Sequence, residues 1–416
     1  MACESSALAW FRSAKFGLFV HWGLYAIPAG FWKGQDCHSV AEWILNVMHI
    51  PPEEYKKLAE QFDPKEFDAD LLVRRAKSWG MQYIVFTAKH HEGFAMYHSA
   101  HPYNVVDATP CRRDVLRELA DACQRHGMPL GLYYSQAQDW DDPDGFEADR
   151  DDSQKDFRRY LEQKVEPQLT ELLTQYGKIA LIWFDTPMAM TPEQSRELYE
   201  LVKKLQPDCL INGRLGNGLS DYMTTSDNFL PRLPYAGAWE LPATLNDTWG
   251  YKKNDHNWKS PDVVLRLLLK VVSRGGNYLL NIGPTDTGAI PEDCMPTLEA
   301  VGAYVSQNKE AILGTNPVPV YPYELDWAEM TCRPHKLYLH ILRPIHRVDL
   351  PRVAFRASEA RILADGTPLE YLNTVTCEGE PNLRVFLPPE QQKCRNYCIE
   401  VTIDRETPEF MPFELP

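Results

Sequence analysis

Between about Phe16 and Pro284 the chain alternates short apolar, β-rich runs with longer stretches in which apolar residues recur every three or four positions. The short runs are FGLFVHWG (16–23), YIVFTAKH (83–90), PLGLYYS (129–135), ALIWFDT (180–186), CLINGR (209–214), DYMTTS (221–226), a segment near WELPATLN (239–246) and NYLLNIGP (277–284). Between them lie DADLLVRRAKSWG, RDVLRELADACQRHG, FRRYLEQKVEPQLTELLTQYG, PEQSRELYELVKKLQP and PDVVLRLLLKVVSRGG, whose spacing is helical and most of which end in Gly or Pro. Alternation of this kind predicts βα units around a parallel sheet, and about eight strands close a barrel. The expected fold class is therefore α/β, a (β/α)8-type barrel, regular or not. A helix, GAYVSQNKEAILG, follows it. From about Asn316 the texture changes to short alternating runs such as KLYLHIL, EARILA, LRVFLP and NYCIEVTI, which predict a small antiparallel β-sandwich. The expected division is a catalytic barrel over 1–315 and a C-terminal β-sandwich domain over 316–416.

Composition narrows the partners more than the fold. The chain has 416 residues, 44% hydrophobic and 24% charged, enough apolar material for a sizeable core. Its 43 Lys plus Arg against 58 Asp plus Glu give a net charge of −15, which makes nucleic acid and anionic membrane poor partners. No run approaches the roughly 20 apolar residues of a membrane span, and the N-terminus lacks the pattern of an export signal. Ten cysteines are scattered without a CxxC pair, as separate reduced thiols would be. These features lead to the expectation of a soluble, cytoplasmic protein, or a secreted or periplasmic one if a leader has been trimmed.

Polar and aromatic residues gather at the C-terminal ends of the expected strands, the rim on which barrel enzymes build their chemistry. Asp185 ends ALIWFDT, so a carboxylate emerges on a rigid mount. Alone it reads more readily as a helix cap than as a nucleophile or base. Its company changes the balance: His21, His90, His91, Tyr134, Trp183 and Arg214 converge on the same rim. Jointly they describe a polyol site, with donors for several hydroxyls and aromatic faces for C–H surfaces. Metal chemistry competes for the histidines. There is no HExxH, however, and adjacent His90 and His91 diverge on a strand, so no metal site is assigned. GxSxG, GxGxxG and GxxxxGK spacings are also absent, which leaves a serine hydrolase and a nucleotide site unsupported. For a second carboxylate, Glu240 beside Trp239 follows a Pro- and Gly-rich loop expected over the barrel mouth, where an indole would favour the neutral acid. Asp227, Asp247, Asp255 and Glu42 are rivals. Glu42, next to Trp43, fits better as an acceptor for a substrate hydroxyl.

At these residues the sequence resembles glycoside hydrolase family 29, the retaining α-L-fucosidases. FGLFVHWG, the AEW of SVAEWILN, AKHHEGFAMYHS with YNVVDAT and RRD, GLYYS, IWFD, the WE to WGY segment and GGNYLLNIGP are similar to that family's motifs, in its order. The resemblance implies that Asp185 is the nucleophile and that His21, Glu42, Trp43, His90, His91, Tyr134, Trp183 and Arg214 form a fucose pocket. Glu240, in the WE position, becomes the candidate acid/base. Trp183 and Trp258 become candidate walls for the deoxy methyl. Neither a metal nor an organic cofactor is implied, and the expected partner is a fucosylated oligosaccharide or glycoconjugate. Thr186 departs from the pattern, standing where WFD is usually followed by Gly; Ile44 and Leu313 depart too. An inactive carbohydrate-binding barrel, a metal-dependent hydrolase and a glycosidase for a related sugar such as a galactoside are the competing readings.

Overall fold

The computed structural model describes residues 5–147, 153–232, 235–319 and 325–412. Eight parallel strands, β1 (Phe16–Val20), β2 (Ile84–Lys89), β3 (Leu130–Tyr134), β4 (Ile179–Phe184), β5 (Leu210–Ile211), β6 (Met223–Thr224), β7 (Trp239–Ala243) and β8 (Asn277–Ile282), form one sheet in the order β5-β4-β3-β2-β1-β8-β7-β6. A parallel bridge between Asn212 and Tyr222 joins its two end strands, so the sheet closes on itself. All eight coincide with the apolar runs of the sequence.

The helical periods fold as expected. They form α2 (Ala69–Ser78), α3 (Val115–His126), α4 (Glu166–Gln175), α5 (Pro192–Leu205) and α6 (Pro261–Ser273), with α1 (Ser6–Ala14) ahead of the barrel and α7 (Met295–Gln307) after it. Their starts are set by side chains that accept an otherwise orphaned backbone N–H: Asp68 for α2, Asp114 for α3, a Thr191–Gln194 capping box for α5 and Ser260 for α6. A helical turn of π geometry, Leu161–Val165, leads into α4. Among the described residues no α-helix follows β5 or β6. The first gap, filled by RLGNGLSD, is shorter than the dozen or so residues a crossover needs, and the second is rich in Pro and Gly. The barrel is therefore irregular on this side.

Period-two alternation sorts the strand residues into two layers. Leu18, Val20, Phe86, Leu132, Tyr134, Ile182 and Phe184 face the helices, whereas Phe19, Val85, Tyr133, Leu181, Trp183 and Leu279 fill the lumen. Phe11 of α1 plugs the base, its ring centroid 4.2 Å from that of Tyr222.

The C-terminal part has its own core. Strands β9 (Asn316–Pro317), β10 (Ala328–Arg333), β11 (Lys336–Ile341), β12 (Arg347–Pro351), β13 (Ala357–Ile362), β14 (Tyr371–Val375), β15 (Pro381–Phe386) and β16 (Tyr397–Ile403) form two antiparallel sheets, β9-β10-β11-β16-β13 and β12-β15-β14. The first leans on α6 and α7 through Ser273 to Glu329 (2.8 Å), Asn396 to Asp262 (2.8 Å) and Tyr304 to His340 (2.8 Å).

Candidate active site

Inward-facing residues at the C-terminal ends of β1 to β5 and the loops beyond them enclose a pocket of about 270 Å³. Asp185 follows β4 in the same parity as Leu181 and Trp183, which is why its carboxylate turns inward. Its Oδ1 accepts from Arg214 Nη1 at 2.9 Å and its Oδ2 from the Tyr133 hydroxyl at 2.8 Å. Burial acts to raise its pKa, but the Arg214 guanidinium and these hydrogen bonds outweigh it, and the pKa falls below the usual carboxylate range. The backbone is held from the side: Asp185 N–H donates to Gln136 Oε1 at 2.9 Å, and Gln138 Nε2 donates to the Thr186 hydroxyl at 3.0 Å.

The histidines present acceptors to the pocket. Asn281 donates through its amide nitrogen to the Trp249 carbonyl, so its oxygen must accept the His21 Nδ1–H at 2.7 Å, leaving His21 Nε2 with a lone pair. Ser135 donates its hydroxyl proton to the Gln138 carbonyl and accepts from His91 Nδ1 at 2.6 Å, which frees His91 Nε2 in the same way. Burial lowers the pKa of His21 to about 3 and of His91 to about 4, so both are neutral at pH 7. His90 is likewise pushed well below its ordinary value by burial. Its ring stacks on Tyr133 at 5.3 Å, and its Nδ1 has no hydrogen-bond partner. Glu42 completes the set: Oε2 accepts from Gly250 N–H at 2.9 Å and the Thr248 hydroxyl at 3.1 Å, while buried Oε1 is unpartnered. Burial raises its pKa to about 7. Such a pocket supplies hydrogen-bond acceptors for several hydroxyl protons and a permanent cation, Arg214.

Aromatic rings line the remaining sector. Phe19 lies 5.0 Å from Trp183 and 5.8 Å from Trp249, and Arg214 stacks over Trp183 at 4.7 Å. Trp43 meets His91 and Trp140 edge-on at 5.3 and 5.2 Å.

Three residues expected in the pocket stand elsewhere. Tyr134 faces the helix layer and donates to Gln168 Oε1 at 2.7 Å; Tyr133, of opposite parity, lines the pocket instead. Glu240 belongs to the N-terminal end of β7, opposite Asn277, and is fully buried in the lower barrel. Both its oxygens are engaged, by Tyr83 at 2.6 Å and by Trp183 Nε1 at 2.8 Å, so it fixes the Trp183 indole from beneath and does not reach the pocket. Burial raises its pKa to about 7, which matches a neutral structural acid. Trp258 shares a narrow crevice with Trp249 behind the pocket wall. His21, Glu42, Trp43, His90, His91, Trp183, Asp185 and Arg214 do converge, joined by Tyr133, Trp249 and Asp227, of which the last is bonded to Arg214 Nη2 at the rim. Strand parity could have found Tyr133, and Trp249 is the Trp of the WGY motif in the sequence.

Behind the pocket lies a buried charge cluster. Lys89 and Lys164 each approach Asp139 Oδ2 at 2.8 Å, and all three side chains are at most 2% exposed. Asp139 anchors the loop that carries Gln136, Gln138 and Trp140. A larger cavity of about 460 Å³ opens at the other end of the barrel between α1 and α3, but its lining is mostly apolar, and Arg117 and Lys178 there are engaged by the Gln175 carbonyl and Asp208. Among the described residues no group of three or more His, Cys, Asp or Glu side chains is disposed to hold a metal ion, and no helix is long and apolar enough to cross a membrane.

The family model described as alpha-L-fucosidase matches residues 3–310. Human tissue alpha-L-fucosidase is 30% identical over 352 residues, covering 78% of this chain and 72% of that one. Rat plasma alpha-L-fucosidase is 31% identical over 331 residues, covering 74% and 71%. Among solved structures, alpha-L-fucosidase from Vibrio sp. strain EJY3 superposes with a TM-score of 0.90 at 35% identity, covering 97% of this chain and 74% of that one. The fucosidase AlfC from Lactobacillus casei, solved in complex with its alpha-L-fucose product, gives 0.70 at 42% identity, covering 74% and 100%.

Proposed function

Because this chain belongs to the alpha-L-fucosidase family of glycoside hydrolases, we propose that it releases L-fucose from fucosylated oligosaccharides or glycoconjugates by double displacement, with Asp185 as nucleophile and Asp227 as acid/base. The observation that carries this reading is the single guanidinium of Arg214, which bonds Asp185 inside the pocket and Asp227 at its mouth. Retention requires two carboxyl groups about 5–5.5 Å apart across the scissile bond, and two carboxylates that share one guanidinium are near neighbours. Asp185, ionised and rigidly mounted, attacks the anomeric carbon. The leaving oxygen departs toward solvent, and Asp227, half-exposed on that side, protonates it after leaving Arg214 Nη2 and taking a proton from solvent; Glu42 lies too deep, and Glu240 is outside the pocket.

The acceptors His21, His91 and Glu42 bind the sugar hydroxyls, and Arg214 offsets charge as the ring flattens toward an oxocarbenium ion. Phe19, Trp183 and Trp249 form the apolar wall that a 6-deoxy methyl needs and a galactose hydroxymethyl does not. The second half-reaction reverses the roles: Asp227 removes a proton from water, which attacks the fucosyl-enzyme and frees Asp185.

Hydrolysis of 4-nitrophenyl α-L-fucoside and of a fucosyl disaccharide by wild type, Asp185→Ala and Asp227→Ala tests both assignments. Asp185→Ala should lose at least about 10⁴-fold on both substrates. Asp227→Ala should lose about 10²–10⁴-fold on the disaccharide and much less on the aryl fucoside, whose leaving group needs little protonation. Equal losses on the two substrates would remove Asp227 from the acid role.

A further inference from the structure

Beside the pocket opens a second, wider cleft of about 770 Å³ that no step of the reaction so far employs. The two lie side by side and share part of their lining. Val40 lines both, and the segment Thr248-Trp249 gives its first residue to the cleft and its second to the pocket. Thr248 also donates to Glu42 from the shared wall. On the other side Asn228, next to Asp227, accepts through Oδ1 from Thr244 N–H at 3.0 Å, which ties the rim carrying the acid to the loop that forms the cleft.

Its lining is polar and lacks the aromatic platforms of the pocket. Exposed Asp247 is part of the lining, held by the Asn257 side-chain amide at 3.0 Å to each carboxylate oxygen. Asp255 braces the same loop, accepting from the Asp247 and Asn257 backbone N–H groups at 2.9 and 3.1 Å. The ammonium in the lining, Lys252, is turned into the carbonyls of Cys37 at 2.7 Å and Ser39 at 3.1 Å and lies 3.7 Å from Asp36. Lys259 is drawn behind the loop, donating to the carbonyls of Thr244 and Asn246. The cleft thus offers carboxylate lone pairs to hydroxyl and amide N–H donors, and it places two anionic groups where an anionic ligand would have to lie.

We propose that this cleft is the aglycone subsite, that it takes an uncharged saccharide bearing hydroxyl and amide donors, and that Asp247 selects against sulfated or otherwise anionic aglycones. The inference rests on the fucoside-hydrolase reading above. A like charge within a few Å of a ligand group costs on the order of a kcal/mol or more at a partly exposed site, enough for about a tenfold discrimination.

The test measures kcat/KM for whichever linkage isomer of fucosyl-N-acetylglucosamine the enzyme cleaves best, and for its aglycone-sulfated counterpart. Each rate is normalised to that enzyme's own turnover of 4-nitrophenyl α-L-fucoside, whose aglycone carries no hydroxyl or amide donor. Wild type should prefer the neutral disaccharide by about tenfold or more. In Asp247→Asn, which keeps an oxygen for Asn257, the preference should shrink to about threefold or less. Equal rates on neutral and sulfated substrates by wild type, or a preference unchanged in both Asp247→Asn and Asp247→Ser, would overturn the subsite while leaving fucoside hydrolysis intact. Inactivity of wild type on all of the fucosides would overturn the underlying reading instead.

Discussion

Thr186 holds a φ of 42°, a conformation that a β-branched residue seldom adopts, immediately after Asp185. Glycine, the usual residue after WFD in the family the sequence resembles, would relax there; threonine keeps the turn because Gln138 binds its hydroxyl and Asp185 Oδ1 accepts its N–H at 3.0 Å. Strain of this kind costs about 1–3 kcal/mol and persists only where neighbours over-determine it. Glu42 carries a prediction at this scale. Its pKa is raised by burial to about 7, so it is largely protonated below that pH and anionic above it, and an anion accepts a hydroxyl proton more strongly. L-Fucose affinity, followed by titration calorimetry, should strengthen as pH rises through about 7 in wild type; Glu42→Gln should bind about tenfold more weakly at pH 8 and lose the inflection. Parity explains what the sequence left unread among residues. Tyr133 and Tyr134 are indistinguishable by type, and only counting back from Asp185 and Trp183 through the alternation of paired strands puts one in the lumen and the other among the helices.

At the scale of elements, β1 to β4 and β8 were plain in the sequence because strands buried on both faces read as continuous apolar runs, whereas β6, with Met223 exposed, was marked only by its β-rich run. The loss of helices after β5 and β6 was less visible, since β-rich runs there are followed by Gly- and Pro-rich chain that can be read as a long loop. The same limit misplaced Glu240. The run at 239–243 is a strand whose first residues lie at the base of the barrel, so a carboxylate beside an indole belongs to the lumen and not to the mouth. The loop after β3 depends on a different element-scale device, the Lys89–Asp139–Lys164 cluster. Asp139→Ala would leave two buried ammonium groups without their carboxylate, a loss expected to cost about 3–5 kcal/mol in urea unfolding. The same variant should raise KM for fucosides, because Gln136 and Trp140 lose their anchor. An unfolding midpoint equal to wild type would show the cluster to be dispensable.

For the molecule as a whole, every residue that lines the pocket lies between Phe19 and Trp249, and the β-sandwich is attached at α6 and α7 away from the rim. His340 is central to that junction: its Nε2 donates to the Ala311 carbonyl at 3.1 Å and its Nδ1 accepts from Tyr304. Burial lowers its pKa to about 4, as it does for His91. A folded pKa depressed below the unfolded value contributes stability that is present above about pH 6.5 and lost as pH falls through about 4. Thermal melts should therefore show Tm falling steeply across that interval. Tyr304→Phe, which leaves His340 Nδ1 unpaired, should lower stability by about 1–3 kcal/mol at pH 7 with KM unchanged. A changed KM would mean that the sandwich communicates with the pocket.

The missing helices after β5 and β6 divide the rim into two kinds of architecture. The hydroxyl acceptors His21, Glu42 and His91 follow strands β1 and β2, whereas Asp227 and Asp247 come from the chain between Arg214 and Trp258. What the sugar may be attached to is thus written mainly on the second stretch, which also lends Arg214 and Trp249 to the fucose pocket and braces Glu42 through Thr248 and Gly250. Exchanges confined to Asp247, Asp255 and their loop neighbours in the cleft can retarget the enzyme to new glycans, because these side chains line the cleft and not the fucose pocket.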